Sequence, residues 1–275
     1  MLDPRACRFF DAAVLAGCPL SPIPCPLSLA FLPITPAHAA AAWPLHAAAR
    51  RFPLAALVIG TFAPDLEYAI NLRPVGKFGH SPVGLVAFCV PATLLVFWGW
   101  RALVRPALAP LLPDGLRRAL EAPEPGRRTD VVPLAIVAAL LGAATHVFWD
   151  GFTHQTGWAV ALIPFLSRSS SRFQFQWFTA AQYASSVVGT LVILTWIALT
   201  VRRVPAPARA FAPGQRTRLA AAALFVAVVS LGVAAANASV VTNSLAAAGR
   251  AAVGAEIGFA LGLVLYALYA RSRAT

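Results

Sequence analysis

Charge is what this sequence has least of. Only 12% of its 275 residues are charged, the acids number 10, and Lys77 is the single lysine on a basic side otherwise made of arginine. A soluble domain carries roughly 25% charged residues, so 59% hydrophobic residues and a mean hydropathy of +0.72 exclude a soluble single domain. Disordered, collagen-like and disulfide-scaffold classes are excluded as well. Cysteine is sparse: Cys7, Cys18, Cys25 and Cys89 form no Cys-x-x-Cys pair, so neither a zinc ribbon nor a disulfide framework is indicated. The formal charge of +12 invites a nucleic-acid reading. Its arginines, however, gather between hydrophobic blocks in alternate connections, with no basic stripe interleaved with aromatics in a polar domain, and no nucleic-acid partner is expected.

What the chain has in abundance is apolar blocks long enough to cross a hydrocarbon core, which takes about 20 residues. They fall at 83–100, 131–150, 184–201, 218–236 and 252–270. Before them, Ala37 to Ala49 reads as a helix bent near Pro44, and Leu54 to Phe62 as an apolar stretch too short to span alone. The expected fold is all-α: an integral membrane helical bundle with five full transmembrane helices, an N-terminal helix and a short half-span. Residues 1–32 read as a disordered leader or the product of a start assigned too far upstream, with translation then beginning at Leu32. Leu15-Ala16-Gly17-Cys18 matches a lipobox, but the apolar run before it, Ala12 to Leu15, is short for a secretory segment. Residues 33–275 form one helical membrane domain, 33–160 carrying the chemistry and 161–275 acting as scaffold. Connections 101–129 and 202–218 are rich in arginine while 151–183 and 237–251 are poor, which puts the C-terminus in the cytoplasm and the ends near residues 80 and 150 on the outer face.

All five histidines lie before residue 155, and beyond that point Glu256 is the only acid. Thr145-His146-Val147-Phe148-Trp149-Asp150-Gly151-Phe152-Thr153-His154 closes the second long block. Spacings of four put His146, Asp150 and His154 on one helical face, provided the helix continues through Gly151. Imidazole and carboxylate together suit a zinc-type ion. One helix cannot supply a full set of ligands, so His38, Asp65 and His80 are candidates for the remainder. Ionisable groups beside hydrocarbon are costly and normally mark function. Asp65 and Glu67 are the candidate catalytic carboxylates, though Glu67 also fits a solvated loop. Gln182, Tyr183 and Ser185, with Gln176 and Ser186, lead into the third long block and could hydrogen-bond substrate or the ligands themselves. Gly60, Gly84, Gly142 and Gly189 are expected to permit close helix approach.

Pro33-Ile34-Thr35-Pro36-Ala37-His38, Ala63-Pro64-Asp65, Gly79-His80-Ser81 and the Thr145 to His154 segment with Gly157-Trp158 together resemble the bacterial membrane family catalogued as domain of unknown function 4184. More distantly the chain is similar to membrane-bound metal-dependent hydrolases. That similarity implies His38, Asp65, His80, His146 and Asp150 as metal ligands or catalytic groups, with His154 additional to the pattern. The expected cofactor is a divalent metal, zinc before manganese. The expected function is metal-dependent hydrolysis of a phosphoester or lipid-derived bond at the outer membrane surface. The alternative is a non-enzymatic structural or transport protein whose His and Asp residues form a polar network tying helices together.

Overall fold

The computed structural model describes residues 35–123, 130–170 and 175–273. Residues 1–32 with Cys18 and Leu32, and the arginines at 127, 128 and 172, lie outside the described residues. Among the described residues every named element is a helix or helical turn, joined by loops, with one isolated bridge between Ser169 and Gln176. A 3-10 turn, Thr35–Ala41, runs into α1, Ala42–Ala48. The expected single bent helix is thus two kinds of helix in series, and the change falls in the turn leading to Pro44, which has no N–H to continue the ladder. Next come α2 (Leu54–Gly60), a 3-10 turn Ala63–Asp65, and α3 (Leu66–Asn71), which ends on Leu72 in the left-handed region at φ 53°.

The long helices follow: α4 (Pro82–Leu111), the short α5 (Asp114–Glu121), α6 (Val131–Thr153), α7 (Trp158–Leu162), α8 (Pro164–Ser167), α9 (Trp177–Arg203), α10 (Gln215–Ala238) and α11 (Ser244–Ser272). Five of the helical segments described are long and apolar enough to cross a membrane: α4, α6 continuing through α7, α9, α10 and α11. Their outward faces carry Val187, Leu191, Leu194, Leu224 and Leu231, all more than half exposed, as lipid-facing positions do. Within α4, π-type turns at Leu85–Cys89 and Trp100–Val104 sit just ahead of Pro91 and Pro106. A widened turn relieves the clash of each proline ring with the carbonyl four residues earlier.

Small residues set the helix contacts. The stripe Gly254, Gly258 and Gly262 on α11 meets the α10 backbone at Ala234, Ser230 and Val226, the close approach that membrane helix pairs favour. The short α2 lies across α6, where Gly60 meets Ala139 and Gly142 meets Leu57 and Thr61. The ends of the bundle are pinned by polar side chains. Gln215 donates to the carbonyls of Pro110 and Leu112, and Gly115 packs on Ala208, so the two arginine-rich connections share one end. Asn237 donates to the carbonyls of Leu72 and Arg250, tying the α10–α11 hairpin to the segment that precedes His80.

Candidate metal centre

The ligand candidates are delivered by several local devices. His38 sits in the Thr35–Ala41 turn, which lies against α9 where Gly189 leaves room for the Ala37 backbone; a Cβ there would come within 2.7 Å of Ala37 O. Asp65 ends the 3-10 turn that follows α2, with Pro64 stiffening the turn. His80 stands in the loop before α4, whose first turn is capped by Ser81 accepting from Gly84 N at 3.0 Å. His146 and Asp150 lie one turn apart on α6, which does continue through Gly151 to Thr153. His154 is the first extended residue beyond it.

These side chains converge on Asp150. Its Oδ2 is 3.2 Å from His146 Nε2 and 3.4 Å from His80 Nε2. Its Oδ1 is 3.5 Å from His38 Nε2 and 3.5 Å from His154 Nδ1. Asp65 Oδ1 completes the first group, 3.5 Å from both His80 Nε2 and His146 Nε2. Charge-assisted hydrogen bonds are shorter, about 2.7–2.9 Å, and His146 Nε2, His80 Nδ1 and Asp150 Oδ1 are buried with no hydrogen-bond partner. The spacing fits something else. A tetrahedron with bonds of about 2.0–2.1 Å to nitrogen and oxygen has edges of about 3.3–3.4 Å. Buried His/Asp groups of this kind, His38 with His146 and Asp150, and Asp65 with His80 and His146, could hold a metal ion.

The family comparison covers the same residues: one family model matches residues 32–268, a stretch holding every member of the cluster. The chain belongs to that family, described as a domain of unknown function (DUF4184). No curated protein and no solved structure matches it.

The surroundings of the cluster in this DUF4184 chain favour a cation. His146 is fully buried, Asp65, His38 and Asp150 are 8 to 12% exposed, and His154 at 35% is the most open. Burial pushes the His38 imidazole down to about 4, with His146 adding to the effect and Asp150 and Asp65 opposing it. Burial also opposes ionisation of Asp65, but the imidazole of His146, helped by His80, outweighs it and holds the carboxyl below its usual range. At neutral pH His38 is therefore neutral and Asp65 ionised, the protonation states a metal requires of its ligands. His146 is oriented from behind, its Nδ1 lying 2.8 Å from the Thr61 carbonyl. That contact makes Nδ1 the donor to Thr61 and turns Nε2 to the carboxylates of Asp65 and Asp150. The Tyr68 ring stacks on His80, and its hydroxyl bonds Asp65; burial, then the charges of Asp65 and Asp150, push that hydroxyl far above its ordinary range.

Two cavities meet at the cluster. One, about 310 Å³, is lined by His38, Asp150, His154, Gln182, Ser185 and Ser186. The other, about 1040 Å³, is a largely apolar groove that touches Asp65 at one place and Arg105 at another, with Val58, Ile59, Ala69 and Phe259 among its walls. Of the polar residues expected near the site, Gln182 has its side-chain amide 3.3 Å from His154 Nε2, and Ser185 lines the pocket while donating to Gln182 O at 2.9 Å. Tyr183 and Gln176 do not line this pocket. Glu67 lies apart from the cluster and accepts from Gly79 N at 2.9 Å, holding the loop that presents His80. Thr61 and Tyr68 were not expected from the sequence. A backbone carbonyl leaves no trace in residue type, and the only sign of Tyr68 is its place three residues after Asp65 on the same helical side.

Proposed function

We propose that this protein is a metal-dependent hydrolase of the bacterial inner membrane, working at the outer face on a phosphoester or other bond of a lipid-derived substrate. The observation that carries the reading is the set of buried nitrogen and oxygen atoms spaced 3.2 to 3.5 Å apart around Asp150. A network that merely tied helices together would close these ion-pair gaps into hydrogen bonds, whereas Asp150 Oδ1 and His146 Nε2 meet their partners without making one. Asp65 Oδ1, His80 Nε2, His146 Nε2 and Asp150 Oδ2 would hold the ion, zinc by donor type and spacing, with manganese second. An ion of this kind supplies Lewis acidity, and it lowers the pKa of water where it keeps a coordination position open.

The chain's own residues do the rest. Thr61 fixes the ring of His146, and Glu67 fixes the approach of His80 through Gly79. Asp65 borders the groove and is the carboxylate placed to take a proton there. The groove supports the lipid assignment. Pro82 and Arg105 stand 23 residues apart on α4, roughly 35 Å at 1.5 Å per residue, and His80 lies two residues before its start, so an apolar groove reaching from Asp65 to Arg105 runs the depth of a bilayer leaflet or more. The outer-face assignment rests on the arginine-rich connections sharing the opposite end of the bundle.

The deciding experiment is elemental analysis of detergent-purified protein beside His146→Ala and Asp150→Ala. Metal bound by the wild type and lost in both variants supports the reading and justifies screening phosphoester lipids. Wild type that takes up neither zinc nor manganese on reconstitution removes its basis.

A further inference from the structure

The two oxygens of Asp150 face different imidazoles, and this divides the cluster. Around Oδ2, His80, His146 and Asp65 complete a set of four donors, which fills a tetrahedral ion. A filled ion has no position for substrate. Around Oδ1 stand His38 Nε2 and His154 Nδ1, each 3.5 Å away, and both side chains line the 310 Å³ pocket. Building on the reading of the cluster as a cation site, we propose that the protein holds a second divalent cation, bound by His38, Asp150 Oδ1 and His154, with the Asp150 carboxylate bridging the two ions.

The rings of His38 and His146 set the separation. They stack with centroids 3.9 Å apart and planes 24° from parallel, and both turn their Nε2 edges to the same carboxylate, His38 towards Oδ1 and His146 towards Oδ2. An imidazole binds a cation in its ring plane, so two nearly parallel rings facing the same way carry ions about as far apart as the rings themselves. That matches the roughly 3.5–4 Å of two-metal sites. Asp150 Oδ1 is buried and makes no hydrogen bond, which leaves its lone pairs available to a cation on that side of the cluster. The second ion has three protein donors and hence one open coordination position, directed to the pocket that Gln182 and Ser185 line. Gln182 is the positioning residue. With its amide oxygen turned to His154 Nε2, where the side chain already lies at 3.3 Å, it accepts that N–H and leaves the Nδ1 lone pair to the cation.

Metal stoichiometry and the magnetic state of bound manganese test this on the full-length protein in detergent. Wild type reconstituted with zinc or Mn(II) is expected to bind about two equivalents, and its Mn(II) form to give the exchange-coupled electron paramagnetic resonance spectrum of two bridged ions. His154→Ala is expected to keep about one equivalent and show an uncoupled Mn(II) spectrum; Gln182→Ala, which removes no ligand, is expected to weaken only the second equivalent, by 10–100-fold. Asp150→Ala is expected to lose both. One equivalent in wild type, unchanged by His154→Ala and Gln182→Ala, overturns the second site and leaves the first standing. No metal in wild type overturns both.

Discussion

Gly142 couples helix packing to the candidate metal centre, and its replacement by alanine has a calculable consequence. A Cβ at this position would stand 2.5 Å from Leu57 O, 2.7 Å from Thr61 N and 2.8 Å from Gly60 C, all of them backbone atoms of α2 and its last turn that cannot swing aside. Ordinary contact begins near 3.4 Å, so α2 must withdraw by about 0.6 to 0.9 Å. Thr61 moves with it. Its carbonyl now lies 2.8 Å from His146 Nδ1, and a withdrawal of about 0.7 Å takes that contact to about 3.5 Å, where the hydrogen bond is lost. Gly142 and His146 are four residues apart on one face of α6, so the displacement is not diluted by distance along the helix. Loss of such an orienting partner costs 10–100-fold in metal affinity, or about 1.4–2.7 kcal/mol. Gly142→Ala is therefore expected to bind zinc 10–100-fold more weakly in a chelator competition, although no ligand has been touched. Gly232→Ala on α10, where a Cβ meets nothing within 4 Å, is expected to match wild type. The reasoning is refuted if Gly142→Ala, with unaltered melting behaviour, holds zinc within about twofold of wild type.

Three more predictions follow from single contacts. Glu67→Ala strands the Gly79 N–H, a cost of about 1–3 kcal/mol visible as a lower melting temperature in detergent. Because Glu67 holds the loop that presents His80, metal affinity is expected to fall while the stoichiometry at saturation survives; unchanged affinity would show that His80 does not need this support. Ala69→Trp places a large ring in the apolar groove next to the Asp65 end and is expected to reduce turnover of a long-chain phospholipid at least about tenfold while sparing a short-chain analogue; equal effects on both would detach the groove from substrate binding. Asn237→Ala deletes the donors to Leu72 O and Arg250 O, both made by a nearly buried side chain, and is expected to cost about 1–3 kcal/mol of stability without changing metal stoichiometry.

The helices were legible because nothing in this sequence competes with hydrocarbon length as a signal: the apolar blocks correspond one by one to the five spanning segments. Their ends were less so. The first block was expected to stop at residue 100, yet α4 runs on to Leu111 through Arg101, Arg105, Pro106 and Pro110. Long arginine side chains reach the interface from within a helix, and the widened turn ahead of Pro106 absorbs that ring. The third helix starts at Trp177 rather than 184, and this places Gln182 on a helix beside His154 instead of in a loop. The cluster itself could be anticipated from the rarity of ionisable residues and the spacing of four between His146, Asp150 and His154. What spacing cannot convey is which oxygen of Asp150 meets which histidine, because that depends on where the Thr35–Ala41 turn and the loop before α4 come to rest against α6.

That arrangement bears on how a buried hydrolytic centre could be supplied. The cluster borders two cavities, with Asp65 lining the large apolar groove and His38, Asp150 and His154 lining the small pocket where Gln182, Ser185 and Ser186 stand. An amphiphile has its chain stabilised in the groove, at roughly 25 cal/mol per Å² of apolar surface buried, whereas Gln182, Ser185 and Ser186 offer water hydrogen-bonding partners on the pocket side. On the proposed reading, substrate and water therefore reach the ions from different sides. The bond to be broken and the oxygen that breaks it meet at Asp150, with the carboxylate that touches every imidazole of the cluster standing between them.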